Sequence, residues 1–280
     1  LKNPKQFNGL TQGYKSLEGF TKSVRKTLCG TYRYEIIKNG PIIKVASCTI
    51  QKDKSGNDQF DNFKSLIVKP VDPLFITEKA LLYNQRGYDA KFTEDYEEIK
   101  NDTKKLWESG IMAKGEVLDP ILVVNPKTNE KGYIRIRHSI VSPLFPRIID
   151  PKTKKIKHSL SYASDSDLGE GGQFGRWEIM NDYNRSLFTV CRSGRLIDVV
   201  KNVKWTENKN QGIRSARNED RYWGLEIDFD PVLDDLFGIT YDKQQVTIST
   251  ELLKRLEAEG IPQEISALRK KVLNQFLIYQ

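Results

Sequence analysis

The chain has 280 residues, with 45 Lys and Arg against 37 Asp and Glu, a net charge of +8 and an isoelectric point near 9.2. That length can bury a core without disulfides or metal, the three cysteines Cys29, Cys48 and Cys191 form no CxxC pair, and His138 and His158 are too few for the usual zinc spacings. No run approaches the roughly 18 apolar residues of a membrane span, so the expectation is a soluble, cytoplasmic protein with free thiols and no membrane partner.

Leu1 in place of Met, followed by the polar stretch Lys2 to Gly13, suggests a cut within a longer polypeptide or a processed end. Leu17, Phe20, Val24 and Leu28 then fall at helical spacing, which predicts an amphipathic helix over about 16–31. Tyr34 to Ile37 and Pro41 to Val45 are β-rich and flank Asn39-Gly40, which predicts a hairpin. A polar loop, Lys52 to Asn62, precedes the apolar Leu66-Ile67-Val68.

Ile134, Ile136, His138 and Ile140 alternate with Tyr133, Arg135, Arg137 and Ser139, the period of a half-buried strand. His138 falls on the apolar side, where a hydrogen-bonded core imidazole is expected in preference to a catalytic base. Lys152, Lys154, Lys155 and Lys157 form the densest basic patch. They read as a solvated loop, with nucleic-acid contact as the functional alternative.

Asp165 to Gly175 is Gly-rich, but Gly169 to Gly175 neither leaves a strand for a helix nor ends in Gly-Lys-Ser or Gly-Lys-Thr, so a linker is expected rather than a phosphate loop. Leu187 to Arg192 and then Trp223, Leu225, Ile227 and Phe229 read as strands, the latter four sharing one face. The polar gap between them, Lys201 to Asp220, is expected to be a long exposed loop. The acid pairs Asp165/Asp167 and Asp234/Asp235 are expected to be solvated charge or helix-end capping. Leu252, Leu253 and Leu256, then Ile265, Leu268, Val272 and Phe276, predict two helices broken at Gly260 and Pro262, with Ser249 or Thr250 as N-cap. This order of elements argues an α/β or α+β fold with a mixed sheet.

One segment carries a sharper signal. From Arg221 to Gln245 the chain passes from a strand, through an acidic turn anchored by Phe237, to Lys243 on a loop before the next helix, where an ammonium can act as a mobile point charge for a phosphate. The strand ending in Asp228-Phe229 followed by Asp242-Lys243-Gln244 resembles the transducer domain of the gyrase B, heat-shock chaperone, histidine kinase and MutL superfamily of ATPases, MORC proteins included. Tyr32-Arg33-Tyr34 with Asn39-Gly40, the Pro70 to Phe75 stretch, and Asn184-Arg185, Phe188 and Gly194-Arg195-Leu196-Ile197 resemble further parts of that domain.

The resemblance implies a transducer of the ribosomal-protein-S5-like type over about 1–250, with inserted loops, and a C-terminal helical extension over 251–280. It implies that Lys243 reaches the γ-phosphate of ATP and that Gln244 or Gln245 steadies it or the attacking water. The superfamily's nucleotide motifs, Glu-x-x-x-Asn for magnesium and Asp-x-Gly-x-Gly for adenine, are not found in series here. An N-terminal ATP-binding domain of the same polypeptide is therefore expected to supply them with ATP and Mg²⁺. These 280 residues alone are expected neither to hydrolyse ATP nor to bind it tightly, and dimerisation is expected from the superfamily. The alternative is a non-enzymatic basic module that binds nucleic acid.

Overall fold

The structure, a computed structural model, describes residues 17–38, 40–68, 70, 72, 74, 76, 101–108, 113–141, 148–149, 156–157, 186–217, 220, 222–239 and 246–278. It divides into two units, Leu1–Pro70 and Val71–Gln280.

In the first unit the spaced apolar residues form helix α1 (Leu17–Thr31), with Cys29 buried. The β-rich residues that follow do not form a strand. The amides of Tyr32, Ile36 and Lys38 bond to Leu28, Tyr32 and Tyr34 carbonyls, so the helical ladder resumes as α2 (Arg33–Ile37) and overrides the local β preference. Gly40 ends it: its N–H donates to Glu35 O at 2.9 Å, and a Cβ there would lie 2.3 Å from that oxygen. The predicted hairpin at Asn39-Gly40 is therefore a helix stop. The hairpin lies later, between β1 (Lys44–Lys52) and its antiparallel partner β2 (Asp58–Ile67). The Asp53 carboxylate closes its turn on the Ser55 and Asn57 amides, each at 2.8 Å, so the predicted polar loop is shorter than 52–62. α1 packs on β1.

The second unit holds helix α3 (Thr103–Glu108) and a six-stranded mixed sheet. Its strands are β3 (Ala113–Val117), β4 (Ile121–Val124), β5 (Lys131–Val141), β8 (Phe188–Arg192), β9 (Arg195–Val200) and β10 (Trp223–Phe229), in the order β3-β5-β10-β8-β9 with β4 also paired to β5. Only β10 and β8 run parallel among these pairs; the rest are antiparallel. A separate pair joins β6 (Ile148–Ile149) to β7 (Ile156–Lys157). The mixed α+β class expected from the sequence is thus present.

Register explains the core. Ile134, Ile136, His138 and Ile140 of β5 stand opposite Phe229, Ile227, Leu225 and Trp223 of β10, so all eight share one face, and all are buried. Glu226 and Asp228 face the other way, as the alternation requires, but Glu226 is buried too, ion-paired with Arg137. β10 is therefore an interior strand covered on both faces.

Helices α4 (Thr250–Ala258) and α5 (Ile261–Ile278) follow, broken at Gly260 with φ +82°. Ser249 caps α4 by accepting from Leu252 N–H at 3.1 Å. α5 lies against β5, β10 and a 3-10 helix at Asn208–Ile213. The stretch from Lys201 to Asp220 is exposed at most of its described residues, as its polarity predicts, but it is anchored to the rest of the unit at several points. Val203 and Trp205 are buried, Glu257 of α4 accepts hydrogen bonds from Thr206, Glu207 and Asn210, and Arg269 of α5 holds Asp220. Its buried polar residues, Asn210 and Asp220, find their partners on the helices.

Candidate functional site

The end of β10 leads into a turn held by several hydrogen bonds and ion pairs. Beyond Phe229, the Asp230 N–H donates to Tyr133 O at 3.1 Å, and its carboxylate accepts from Tyr133 N–H at 2.8 Å and from Arg135 Nη1 at 2.7 Å. Burial raises the Asp230 carboxyl, but the hydrogen bonds from Arg135 and Tyr133 outweigh it and hold the group below its ordinary value. A short 3-10 turn, Pro231–Leu233, follows and presses on β5 at Gly132, where a Cβ would lie 2.6 Å from Val232.

Asp234 then receives Arg192, at the end of β8, through two hydrogen bonds of 2.6 and 2.8 Å, which raise the guanidinium pKa. Asp235 lies 3.4 Å from Lys127. Asp235 is thus the solvated charge expected of it, beside an exposed lysine, whereas Asp234 is paired with Arg192 and ties the sheet to the turn.

The Phe237 ring stacks on Phe229, centroids 3.7 Å apart and planes within 6°. Next comes Gly238 with φ +56°, a backbone state that side chains resist, and a Cβ there would lie 2.3 Å from Thr247 O. Ile239 N–H donates to Asp234 O, Thr247 N–H to Phe237 O and Ser249 N–H to Leu236 O, each at 3.1 Å. Val246 N–H donates to the Asp198 Oδ2 of β9, also at 3.1 Å. The chain that leaves at Ile239 and returns at Val246 is fastened on both sides.

The β8–β9 hairpin completes this corner. Ser193 and Gly194 have φ of 49° and 79°, the positive pair of a tight hairpin turn. Ser193 N–H donates to Phe229 O at 3.1 Å and Gly194 N–H to Asp228 Oδ1 at 2.8 Å, so the turn is stitched to the end of β10. The Gly194-Arg-Leu-Ile197 motif supplies the turn and the first half of β9.

A second polar cluster sits in the core. His138 Nε2 lies 3.4 Å from Glu264 Oε1 of α5 and 3.5 Å from Glu116 Oε2 of β3, with its side chain almost wholly buried. Burial lowers the imidazole below its ordinary value; Glu264 and Glu116 pull it up, and Lys271 pushes it down again. Its position fits the core-imidazole expectation: it joins the sheet to α5.

The chain matches no protein-family model, no curated protein and no solved structure. Among the described residues there is no cluster of three or more His, Cys, Asp or Glu that could hold a metal ion, and no helix long and apolar enough to cross a membrane.

The sequence-predicted site residues fare unequally. Lys243, Gln244 and Gln245 lie outside the described residues, between Ile239 and Val246. Lys152, Lys154 and Lys155 lie outside as well, as do Gly169 to Gly175, Asp165 and Asp167, and Asn184-Arg185. Lys157 stands in β7, paired with Ile148, and so belongs to a strand instead of a loop. Asp198 escaped the sequence reading. Its signal was a single carboxylate within the apolar run Leu196-Ile-Asp-Val-Val200, where an unpaired charge would be costly and a partner must exist.

Proposed function

We propose that this chain is the transducer portion of an ATPase of the gyrase B, chaperone, histidine kinase and MutL superfamily. In this role it senses the γ-phosphate of ATP through Lys243 and converts its presence or loss into domain movement. The supporting observation is how firmly the residues on either side of 240–245 are held near the end of β10: Ile239 bonds to Asp234, Thr247 to Phe237 and Val246 to Asp198.

In this reading Lys243 supplies positive charge to the transferring phosphoryl group and Gln244 or Gln245 steadies the ammonium or the attacking water. ATP and Mg²⁺ are held by a nucleotide-binding domain N-terminal to this region in the same polypeptide. Because the ammonium has its anionic partner only while the γ-phosphate is present, the loop has two preferred states, which hydrolysis switches.

The test is steady-state ATP turnover of the polypeptide that includes the nucleotide-binding domain. Lys243→Ala lowers kcat by about tenfold to a thousandfold, the range for losing one charge-stabilising donor, with a smaller effect on ATP affinity. Equal rates in the two proteins refute the reading.

A further inference from the structure

Half of the chain's excess positive charge falls on one short segment. Residues 201–217 carry Lys201, Lys204, Lys209, Arg214 and Arg217 against the single acid Glu207, an excess of four in a chain of net charge +8. All five cations are exposed. Glu207 is taken by Lys209, 2.8 Å away, and Arg217 donates to Gly212 O at 3.1 Å. Lys201, Lys204 and Arg214 make no ion pair among the described residues. The carboxylates that anchor the stretch, Glu257 and Asp220, are buried and occupied by other donors.

The cations stand on a fixed backbone. Lys201 and Lys204 lie on one side of a short ribbon and Arg214 on the other: Val203 N–H donates to Arg214 O at 2.7 Å and Ala216 N–H to Lys201 O at 2.8 Å, around the Asn202–Ser215 bridge. Val203 and Trp205 are buried beneath, Trp205 Nε1 donates to Ile213 O at 3.2 Å, and Glu257 of α4 accepts from Glu207 N–H at 3.0 Å. The backbone geometry is thus set before a partner arrives, and binding orders side chains alone.

The surroundings of these cations discriminate among anionic partners. None of the exposed large hydrophobic side chains among the described residues falls in 201–217, so the segment lacks the apolar face that interfacial membrane binding uses. Its one aromatic residue, Trp205, is 2% exposed and offers no ring on which an unpaired base could stack. Asn202, Asn208 and Ser215 are exposed between the cations and add the amide and hydroxyl groups that contact phosphate and sugar.

We propose that residues 201–217 form a binding face for double-stranded nucleic acid, with Lys201, Lys204 and Arg214 contacting the phosphate backbone independently of base sequence. This face stands apart from the transducer reading, and its test involves no ATP.

A labelled DNA duplex of random sequence is titrated with the 280-residue chain at several salt concentrations, and binding is read by fluorescence anisotropy. The chain binds it, and affinity falls as salt rises. Lys201→Ala/Lys204→Ala/Arg214→Ala weakens binding about tenfold or more at low salt and flattens the salt dependence by about two to three units of slope, roughly one per lost phosphate contact. The charge-preserving Lys201→Arg/Lys204→Arg/Arg214→Lys keeps the slope. Thermal unfolding shows whether the alanine variant is folded; if it is not, Lys204→Ala alone lowers the slope by about one. Failure of the chain to bind the duplex overturns the proposal, as does an unchanged slope in the folded alanine variant. A loss confined to Lys152→Ala/Lys154→Ala/Lys155→Ala/Lys157→Ala overturns it too. Binding to single-stranded DNA of the same length, or to phosphatidylserine vesicles, as tight as to the duplex overturns the choice of partner.

Discussion

Arg269 holds Asp220 in a bidentate grip, Nε to Oδ1 at 2.8 Å and Nη2 to Oδ2 at 2.6 Å, with side chains 8% and 0% exposed. The same carboxylate accepts from Trp223 Nε1 at 3.1 Å and from Arg217 N–H at 2.7 Å, and Arg269 also donates to Ser215 O at 2.9 Å. One buried pair thereby joins α5, the 201–220 stretch and β10. Removing one partner strands the other charge, so Arg269→Ala costs about 3 to 5 kcal/mol of stability. Urea unfolding of the single variants measures it. The double variant Asp220→Asn/Arg269→Met recovers much of the loss, because no uncompensated charge remains.

Trp223 is 1% exposed on the face of β10 that meets β5. Trp223→Ala leaves a large cavity and costs about 3 to 5 kcal/mol, whereas Trp223→Phe retains most of the packing and costs less. Thermal unfolding of the two variants checks the order.

Gly238 and Gly260 both have positive φ, 56° and 82°, but their surroundings differ. At Gly260 a new Cβ meets nothing closer than Gln263 Oε1 at 4.0 Å, so Gly260→Ala costs only the backbone term of about 1 kcal/mol. At Gly238 the Cβ would also strike Thr247 O at 2.3 Å and part the loop base. Gly238→Ala is therefore the more destabilising of the two, and amide exchange at Thr247 rises in it alone.

His138 gives the second unit a pH dependence of definite sign. Its folded-state pKa lies below the ordinary 6.5 because of burial, so above that pH the imidazole is neutral in both states and its contribution is fully present. As pH falls below 6.5 the unfolded chain takes up a proton that the folded chain resists, and stability declines until pH has passed the folded value. His138→Gln flattens this decline. Glu264→Gln steepens it, since the carboxylate that favours the charged imidazole is gone. Unfolding free energies measured through this pH range report both.

How much of this was legible in the sequence depended on whether the signal was local. The α1 spacing, the alternation in β5 and β10, the Ser249 cap and the break at Gly260 each follow from neighbouring residues, and the structure places them where they were expected. Tyr34 to Ile37 misled because β preference there was overridden by helical hydrogen bonds continuing from α1. The 201–220 stretch was legible only in part. Most of its residues are solvated as they looked, but Asn210 and Asp220 are buried against Glu257 and Arg269, which lie some 50 positions away in sequence. Asp234 likewise took its role from Arg192, which no local pattern announces. The Lys243 motif rests on resemblance, and its residues lie outside the described ones.

The placement of β10 between β5 and β8 sets the order in which this sheet can form. β3, β4 and β5 pair as near neighbours in sequence, and β8 with β9 across a two-residue turn, so both pieces can assemble early. Arg137 and Glu226, partners in the β5–β10 register, are 89 positions apart, and until β10 arrives neither piece has a strand to join it to the other. During synthesis β5 must therefore wait with one edge open, a template for the wrong partner. The charged Arg135 and Arg137, which later meet Asp230 and Glu226, stand along that strand and would discourage association with an apolar edge in the interval.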